Sequence, residues 1–181
     1  MLKPMNKNIL SGLCLAALVL FASCSAGQRV ITVNGFSLSA PAQEQFDPSN
    51  EVPAMSSGVD GIDLAAEKMY YSKSKKSAIL ISSALINLGG EGEDVAYNYM
   101  EALEKQLEQI GDVQLNPRDG NDGLKICSLT FYAGDIITDK VLIYSLDNPK
   151  ALMIDFVFDK EEVESLSGAM SDLLDSICVV E

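Results

Sequence analysis

The residues that most often carry catalysis are scarce in this chain of 181 residues. There is no histidine, so the usual serine, cysteine and zinc chemistries lack their base or their ligand. The glycine-rich segment Gly89-Gly90-Glu91-Gly92 lacks the lysine and the serine or threonine of a phosphate-binding loop. The 26 acidic residues offer carboxylate pairs for a hydrolase, but no spacing selects one pair. We therefore expect no enzymatic activity, no cofactor and no metal, with a carboxylate-dependent hydrolase of the cell envelope as the alternative.

A different chemistry is available to the thiol of Cys24. Basic residues precede an apolar run from Ile9 to Ala22, and small residues stand just before the cysteine, which is the order of a secretory signal. Leu20-Phe21-Ala22-Ser23-Cys24 resembles a bacterial lipobox. The resemblance implies diacylglyceryl transfer to the thiol, cleavage before Cys24 and acylation of the new amino terminus. An ordinary signal peptide and a retained membrane span are the alternatives, although a span needs roughly 20 predominantly apolar residues.

The lipobox resemblance divides the chain into three parts. Residues 1–23 are the signal peptide, residues 24–28 are a short lipidated tether, and residues 29–181 form a single globular domain. Acyl chains on Cys24 then hold the protein stably in a membrane of the bacterial envelope. Ser25 to Gln28 carries no acidic residue, unlike the same segment of many surface-displayed lipoproteins of Bacteroidetes-type cells. We therefore expect a domain that faces the periplasm, anchored at the outer membrane if the cell is diderm.

The charge of the mature chain excludes one class of partner. Removing residues 1–23 takes away two of the 13 basic residues and none of the 26 acidic ones, which leaves a net charge of −15. Binding to phosphate backbones requires a basic surface, so we expect no nucleic acid partner. Direct adsorption to anionic lipid is disfavoured for the same reason. We expect the membrane contact to come from the acyl chains, and the partner to be another envelope protein.

Hydrophobic periodicity predicts two amphipathic helices. One covers residues 94–110, with Asp94 as its cap and Gly111 at its end. Its apolar stripe is Val95, Tyr99, Leu103, Leu107 and Ile110. The other begins at Asp159, with Glu162 completing a capping box. Its apolar face is Val163, Leu166, Met170, Leu173, Leu174 and Ile177.

Alternating patterns and turn signals predict a series of short strands. They cover residues 29–33 and 36–38 around an Asn34-Gly35 turn, then 69–71, 78–81, 124–133, 140–146 and 151–158. Residues 40–61 and 116–123 are predicted as irregular connections. Short links between consecutive strands favour antiparallel neighbours. The predicted fold class is therefore α+β, an antiparallel sheet covered by two amphipathic helices.

Two segments resemble those of PsbP-like domains. One is the strand pair that ends in a proline, Thr32 to Pro41, and the other is the last strand with its terminal helix, Ile154 to Val179. The resemblance implies a PsbP-like α/β sandwich and a non-enzymatic binding or assembly factor. We therefore expect a membrane-anchored binding or scaffolding module. An envelope structural protein without a small ligand is a further alternative.

Several residues are candidates for contacts or cross-links. Polar loops on a rigid scaffold often carry function, which selects residues 40–61 and two smaller groups. These groups are Lys73, Lys75 and Lys76 at a hairpin end, and Arg118 and Asp119 in a turn. Cys127 and Cys178 are either bridged by a disulfide, as an exported protein permits, or two buried thiols.

The predicted anchor makes Cys24→Ala the decisive substitution. We expect this variant to escape lipidation and to stay uncut by the lipoprotein signal peptidase, because that enzyme acts on the lipidated cysteine. Gel mobility and detergent partition measure both effects. A variant that is processed and remains membrane-bound like the wild type contradicts the prediction.

Overall fold

The computed structural model describes residues 29–55, 61–87, 94–120 and 123–180. The predicted signal peptide, Cys24 and the rest of the predicted tether lie outside the described residues. The strands are β1 (Val30–Val33), β2 (Phe36–Ser39), β3 (Phe46–Pro48), β4 (Ile62–Ser72), β5 (Ala78–Ile86), β6 (Asp112–Asp119), β7 (Lys125–Ala133), β8 (Ile136–Ser145), β9 (Asn148–Asp159) and β10 (Cys178–Val179). The helices are α1 (Val95–Leu107) and α2 (Val163–Asp175).

The strands form two antiparallel sheets. The large sheet has the order β3-β4-β5-β9-β8-β7-β6, and the small sheet has the order β1-β2-β10. Helix α1 packs against one face of the large sheet, while the small sheet and α2 cover the other. The predicted fold class, an antiparallel sheet covered by two amphipathic helices, is confirmed. The sequence did not predict that the first two strands leave the large sheet and form a second one.

Strand β9 lies at the centre of the large sheet and is covered on both faces. Ala151 and Met153 belong to the core beneath α1. Leu152, Ile154 and Phe156 belong to the core beneath the small sheet and α2. Successive side chains of a strand point to opposite faces, so a strand covered on both sides requires a nearly continuous apolar run. β9 therefore supplies side chains to both hydrophobic cores.

A bulge in β4 changes which face its side chains occupy. The pairing with β5 shifts between Ala66 and Lys68. Before the shift, Ile62 belongs to the core beneath α1; after it, Tyr70 belongs to the core on the opposite face. An extra residue in one strand produces this change because the side-chain period is two. Because of the bulge, Lys68 lies on the same face of the large sheet as Tyr70.

Helix α1 has the predicted cap but a narrower buried face. The Asp94 carboxylate accepts a hydrogen bond of 3.0 Å from the backbone N–H of Tyr97, so its role as N-cap is confirmed. The helix ends at Leu107, before Ile110, which is 72% exposed. The prediction that Ile110 belongs to the apolar stripe was wrong. Leu103 is only partly buried, because Ala96, Tyr99 and Met100 form the buried face.

Helix α2 begins later than predicted, and the predicted capping box is absent. The helix starts at Val163, and the Glu162 side chain makes no cap hydrogen bond. Asp159 instead accepts a bond of 2.9 Å from the Glu161 backbone N–H. The Glu162 carboxylate turns to the β4–β5 hairpin, where Ser72, Ser74 and Ser77 donate to it. The capping-box prediction failed because three serines distant in sequence bind this carboxylate.

Three predicted irregular or helical segments contain strands. The connection from residue 40 to residue 61 includes β3, and its residues 56–60 lie outside the described ranges. The predicted turn at residues 116–123 is a strand as far as Asp119. Pro117 is tolerated there because β6 is an edge strand. Cys178, which falls in the segment predicted as the last strand and its terminal helix, starts β10 and pairs with Ser37.

Leu173 and Leu103 give a matched test of the two helix interfaces. Leu173 is 2% exposed in the core beneath α2, so Leu173→Ala should cost about 2–5 kcal/mol of unfolding free energy. Leu103 is partly buried, so Leu103→Ala should cost less than Leu173→Ala. Urea denaturation of the full chain measures both. Equal losses, or a larger loss at Leu103, would contradict this arrangement of the helices.

The Glu162 contacts predict a pH dependence of stability. Hydrogen bonds from Ser74, Ser77 and Ser72 lower the pKa of Glu162 below its ordinary value of 4.5. A lowered pKa stabilises the fold above that ordinary value, and the contribution disappears as the pH falls through the folded-state pKa. Glu162→Gln should therefore be less stable than the wild type at pH 7, with the difference shrinking below about pH 4.5. Urea midpoints against pH measure this difference.

The control for that experiment is Glu164→Gln. Glu164 is exposed in the first turn of the same helix, so the substitution makes the same charge change away from the hairpin serines. We expect a smaller pH-dependent difference for this variant. If the urea midpoints of both variants change with pH as those of the wild type do, the Glu162 contacts do not contribute to the pH dependence of stability.

Candidate functional site

A cleft of about 670 Å³ lies where the start of the small sheet meets the β3–β4 edge of the large one. Its lining comes from three segments. They are Arg29, Val30 and Ile31; Ala40, Pro41, Ala42, Gln43, Glu44, Phe46, Pro48 and Ser49; and Lys68 and Tyr70. Ligand pockets in proteins usually measure about 300–1,000 Å³. The described part of the predicted contact loop, residues 40–55, thus forms one wall of a cleft of ligand-binding size.

Backbone hydrogen bonds hold the walls of this cleft. The Ala40 N–H donates to the carbonyl of Arg29 across the mouth of the β1–β2 hairpin, at 2.6 Å. The N–H groups of Gln45 and Phe46 both donate to the Ala42 carbonyl, at 3.0 and 2.9 Å, which closes a turn. The Ser49 N–H donates to the backbone carbonyl of Met69 in β4 at 2.8 Å. The loop is therefore fixed to both sheets.

The charged groups of the cleft are two cations and one carboxylate. Arg29, Lys68 and Glu44 are all exposed. Within the described ranges, neither Arg29 nor Lys68 forms an ion pair, whereas Lys73, Lys76, Lys105, Lys125 and Lys140 each do. The two cations of the cleft are therefore open to a ligand.

Tyr70 lies in the cleft with a hydroxyl that forms no hydrogen bond to another described residue. The residue is 8% exposed, and burial raises the pKa of the hydroxyl, an effect that the nearby Arg29 partly offsets. Among the described residues, no fully buried side-chain oxygen lacks a partner, so solvent reaches this hydroxyl. Tyr70 stays protonated at neutral pH and can donate a hydrogen bond into the cleft.

The predicted contact residues at the β4–β5 hairpin are largely occupied by internal contacts. Lys73 pairs with Asp47, and Lys76 pairs with Glu161 at 2.7 Å. The Glu161 contact raises the pKa of Lys76. Lys75 occupies the left-handed region, with φ of 62°, and is exposed. The predicted hairpin is present, but two of its three lysines are neutralised by carboxylates.

The other predicted contact residues, Arg118 and Asp119, line a second and smaller cavity. Its volume is about 220 Å³, and it lies between the ends of β6 and β7 and the end of α2. Asp175 and Cys178 line the opposite side. One arginine faces two carboxylates here, so the cavity has no excess of positive charge.

Cys127 and Cys178 are both free thiols. Cys127 is buried in the core beneath α1, and its burial raises the pKa of the thiol to about 11. Cys178 is exposed on the small sheet, on the opposite side of the large sheet. The predicted disulfide is therefore absent, since the two faces of a packed sheet separate the thiols, and the alternative of two buried thiols holds for Cys127 but was wrong for Cys178.

Two features are absent from the described ranges. No group of three or more Cys, Asp and Glu side chains there is arranged to hold a metal ion. Within the same ranges, no helix has the length and apolar character needed to cross a membrane.

The fold is similar to that of solved structures. The solution structure of cyanobacterial PsbP (CyanoP) from Synechocystis sp. PCC 6803 matches with a TM-score of 0.52 and 12% identity, over 88% of this chain and 99% of that chain. The crystal structure of the Saccharomyces cerevisiae Ran-binding protein Mog1p matches with a TM-score of 0.47 and 11% identity, over 87% and 97%. No protein-family model and no curated protein matches the chain. The likeness to CyanoP shows a PsbP-like fold and, at this identity, the fold alone.

Sequence reasoning selected the loop that forms one wall of the cleft but missed its two cations. Arg29 and Lys68 are 39 positions apart, and Lys68 reaches the cleft side of β4 only because of the bulge. The charge pattern of the sequence pointed to the hairpin lysines, the densest basic cluster in the chain. No local signal could have weakened that choice, because Lys73 and Lys76 pair with Asp47 and Glu161, which lie 26 and 85 positions away.

Proposed function

We propose that this chain is a membrane-anchored envelope lipoprotein whose domain acts as a non-catalytic binding or scaffolding module. The observation that carries the proposal is the cleft that begins at Arg29. Arg29 follows Cys24 by five residues. A fully extended chain of five residues is at most roughly 17 Å long. A lipid on Cys24 would therefore keep the cleft close to the membrane surface.

The chemistry of the cleft supports binding more than catalysis. Its charged groups are Arg29, Lys68 and Glu44, which stand at an exposed rim. A carboxylate hydrolase uses two carboxyl groups that flank the scissile bond. The lining supplies one, so a single acid faces two cations. This composition favours recognition of a charged partner over acid–base chemistry.

The anchoring part of the proposal rests on the sequence of the amino-terminal segment. The basic start, the apolar run and the lipobox-like ending at Cys24 all precede the described domain. The acidic body, with the whole chain at a net charge of −13, does not favour direct adsorption to anionic lipid. Acyl chains then supply the membrane affinity, while the domain remains available to a partner.

Crosslinking in membranes tests the binding role. We expect the wild type to capture a reproducible envelope protein, and Ala42→Tyr to reduce the capture at least about fivefold, because it places bulk at the exposed rim of the cleft. The matched control is Ala133→Tyr, an equal change at the exposed end of β7. Quantitative mass spectrometry of the crosslinked material gives the readout.

Two results would overturn the proposal. One is equal capture by the wild type and both variants, which would place the partner elsewhere or show that there is none. The other is turnover in an unbiased hydrolase panel that disappears when a single carboxylate is replaced. The second result would support the carboxylate-dependent hydrolase.

A further inference from the structure

The lining of the cleft carries a net positive charge, whereas the chain as a whole is strongly acidic. The chain has a formal net charge of −13, whereas two cations and one carboxylate line the cleft. A guanidinium such as that of Arg29 binds phosphate or carboxylate through two parallel hydrogen bonds, and an ammonium such as that of Lys68 adds a point charge. The cleft is therefore electrostatically suited to a small anion.

The buried side chains that line the cleft are mostly apolar, and together they are called its floor. Ala40, Pro41 and Phe46 are buried residues of its lining, and Ile31 packs against the same hydrophobic core. Tyr70 adds an aromatic ring and a hydroxyl donor on the side of Lys68. Tyrosine commonly combines a hydrophobic contact with a hydrogen bond at binding sites. The cleft thus joins an apolar floor to a cationic rim.

We infer that the cleft is a binding site for a small organic anion, in which one phosphate or carboxylate group is joined to a compact apolar body. Arg29, Lys68 and the Tyr70 hydroxyl hold the anionic group, and the buried floor holds the apolar body. This inference rests on the proposed binding role and names the ligand class for the same cleft. The volume of about 670 Å³ suits a small molecule.

Isothermal titration of the purified full chain with phenyl phosphate tests the inference. We expect binding at least about tenfold tighter than that of inorganic phosphate, which lacks the apolar body, or of phenol, which lacks the charge. The double variant Arg29→Gln, Lys68→Gln should weaken phenyl phosphate binding about tenfold. Tyr70→Phe should weaken it about tenfold, since a charge-assisted hydrogen bond from the hydroxyl to the anionic group is lost.

A control double variant and a variant that should bind more tightly complete this test. Lys105→Gln with Lys150→Gln removes the same charge outside the cleft, because Lys105 lies on α1 and Lys150 near the far end of the β1–β2 hairpin. We expect this control to bind as the wild type does. Glu44→Gln should tighten binding about twofold to threefold, because it removes the one carboxylate of the lining.

Three outcomes would overturn the inference. They are no detectable binding of phenyl phosphate, no advantage over inorganic phosphate, and equal weakening by the cleft and control double variants. The titration needs neither a membrane nor a protein partner. Loss of partner capture by Ala42→Tyr with no phenyl phosphate binding would therefore refute only the ligand class. Normal binding without any captured partner would refute only the scaffolding role.

Discussion

Burial of β9 on both faces is the constraint on which the rest of this structure depends. The strand lies between two hydrophobic cores, so nearly every side chain from Ala151 to Phe158 must be apolar. Asp155 is the exception, at 6% exposure. A charge removed from water needs a partner, and the neighbouring strand supplies Lys140. A central strand that carried an unpaired carboxylate would weaken both cores together.

Each helix is attached to the sheet by a carboxylate at its beginning. One Asp94 oxygen caps α1, while the other accepts hydrogen bonds of 3.1 Å from both Lys125 and the Tyr144 hydroxyl. Burial and the adjacent Asp94 raise the pKa of Tyr144, which keeps it a donor. At α2, Glu162 is bound by hairpin serines. The positive end of a helix dipole favours an acid at this position, and the sheet's donors then fix the helix on its face.

Local signals in the sequence predicted those parts of the fold that local interactions determine. The Asp94 cap follows from helix-end chemistry, and Asn34 with Gly35 forms the predicted turn because both have positive φ, 53° and 88°. The short strands β3 and β10 exist only through pairing with distant strands, and no local pattern marks them. The cations of the cleft escaped prediction for the same reason. Arg29 and Lys68 line the same cleft because of a bulge and a boundary between two sheets, and the spacing of apolar residues reveals neither.

The acidic body affects what can reach the cleft. Repulsion between the chain's net charge of −13 and an approaching anion acts over distance, and salt screens it beyond about 8 Å at physiological ionic strength. Attraction by Arg29 and Lys68 acts at contact, where screening is weaker because the ligand displaces water from the apolar floor. A polyanion would meet both effects at many positions and be repelled by most of the surface. A compact anion with a single charged group places that group beside the two cations alone, so the charge distribution of the whole domain selects for small ligands.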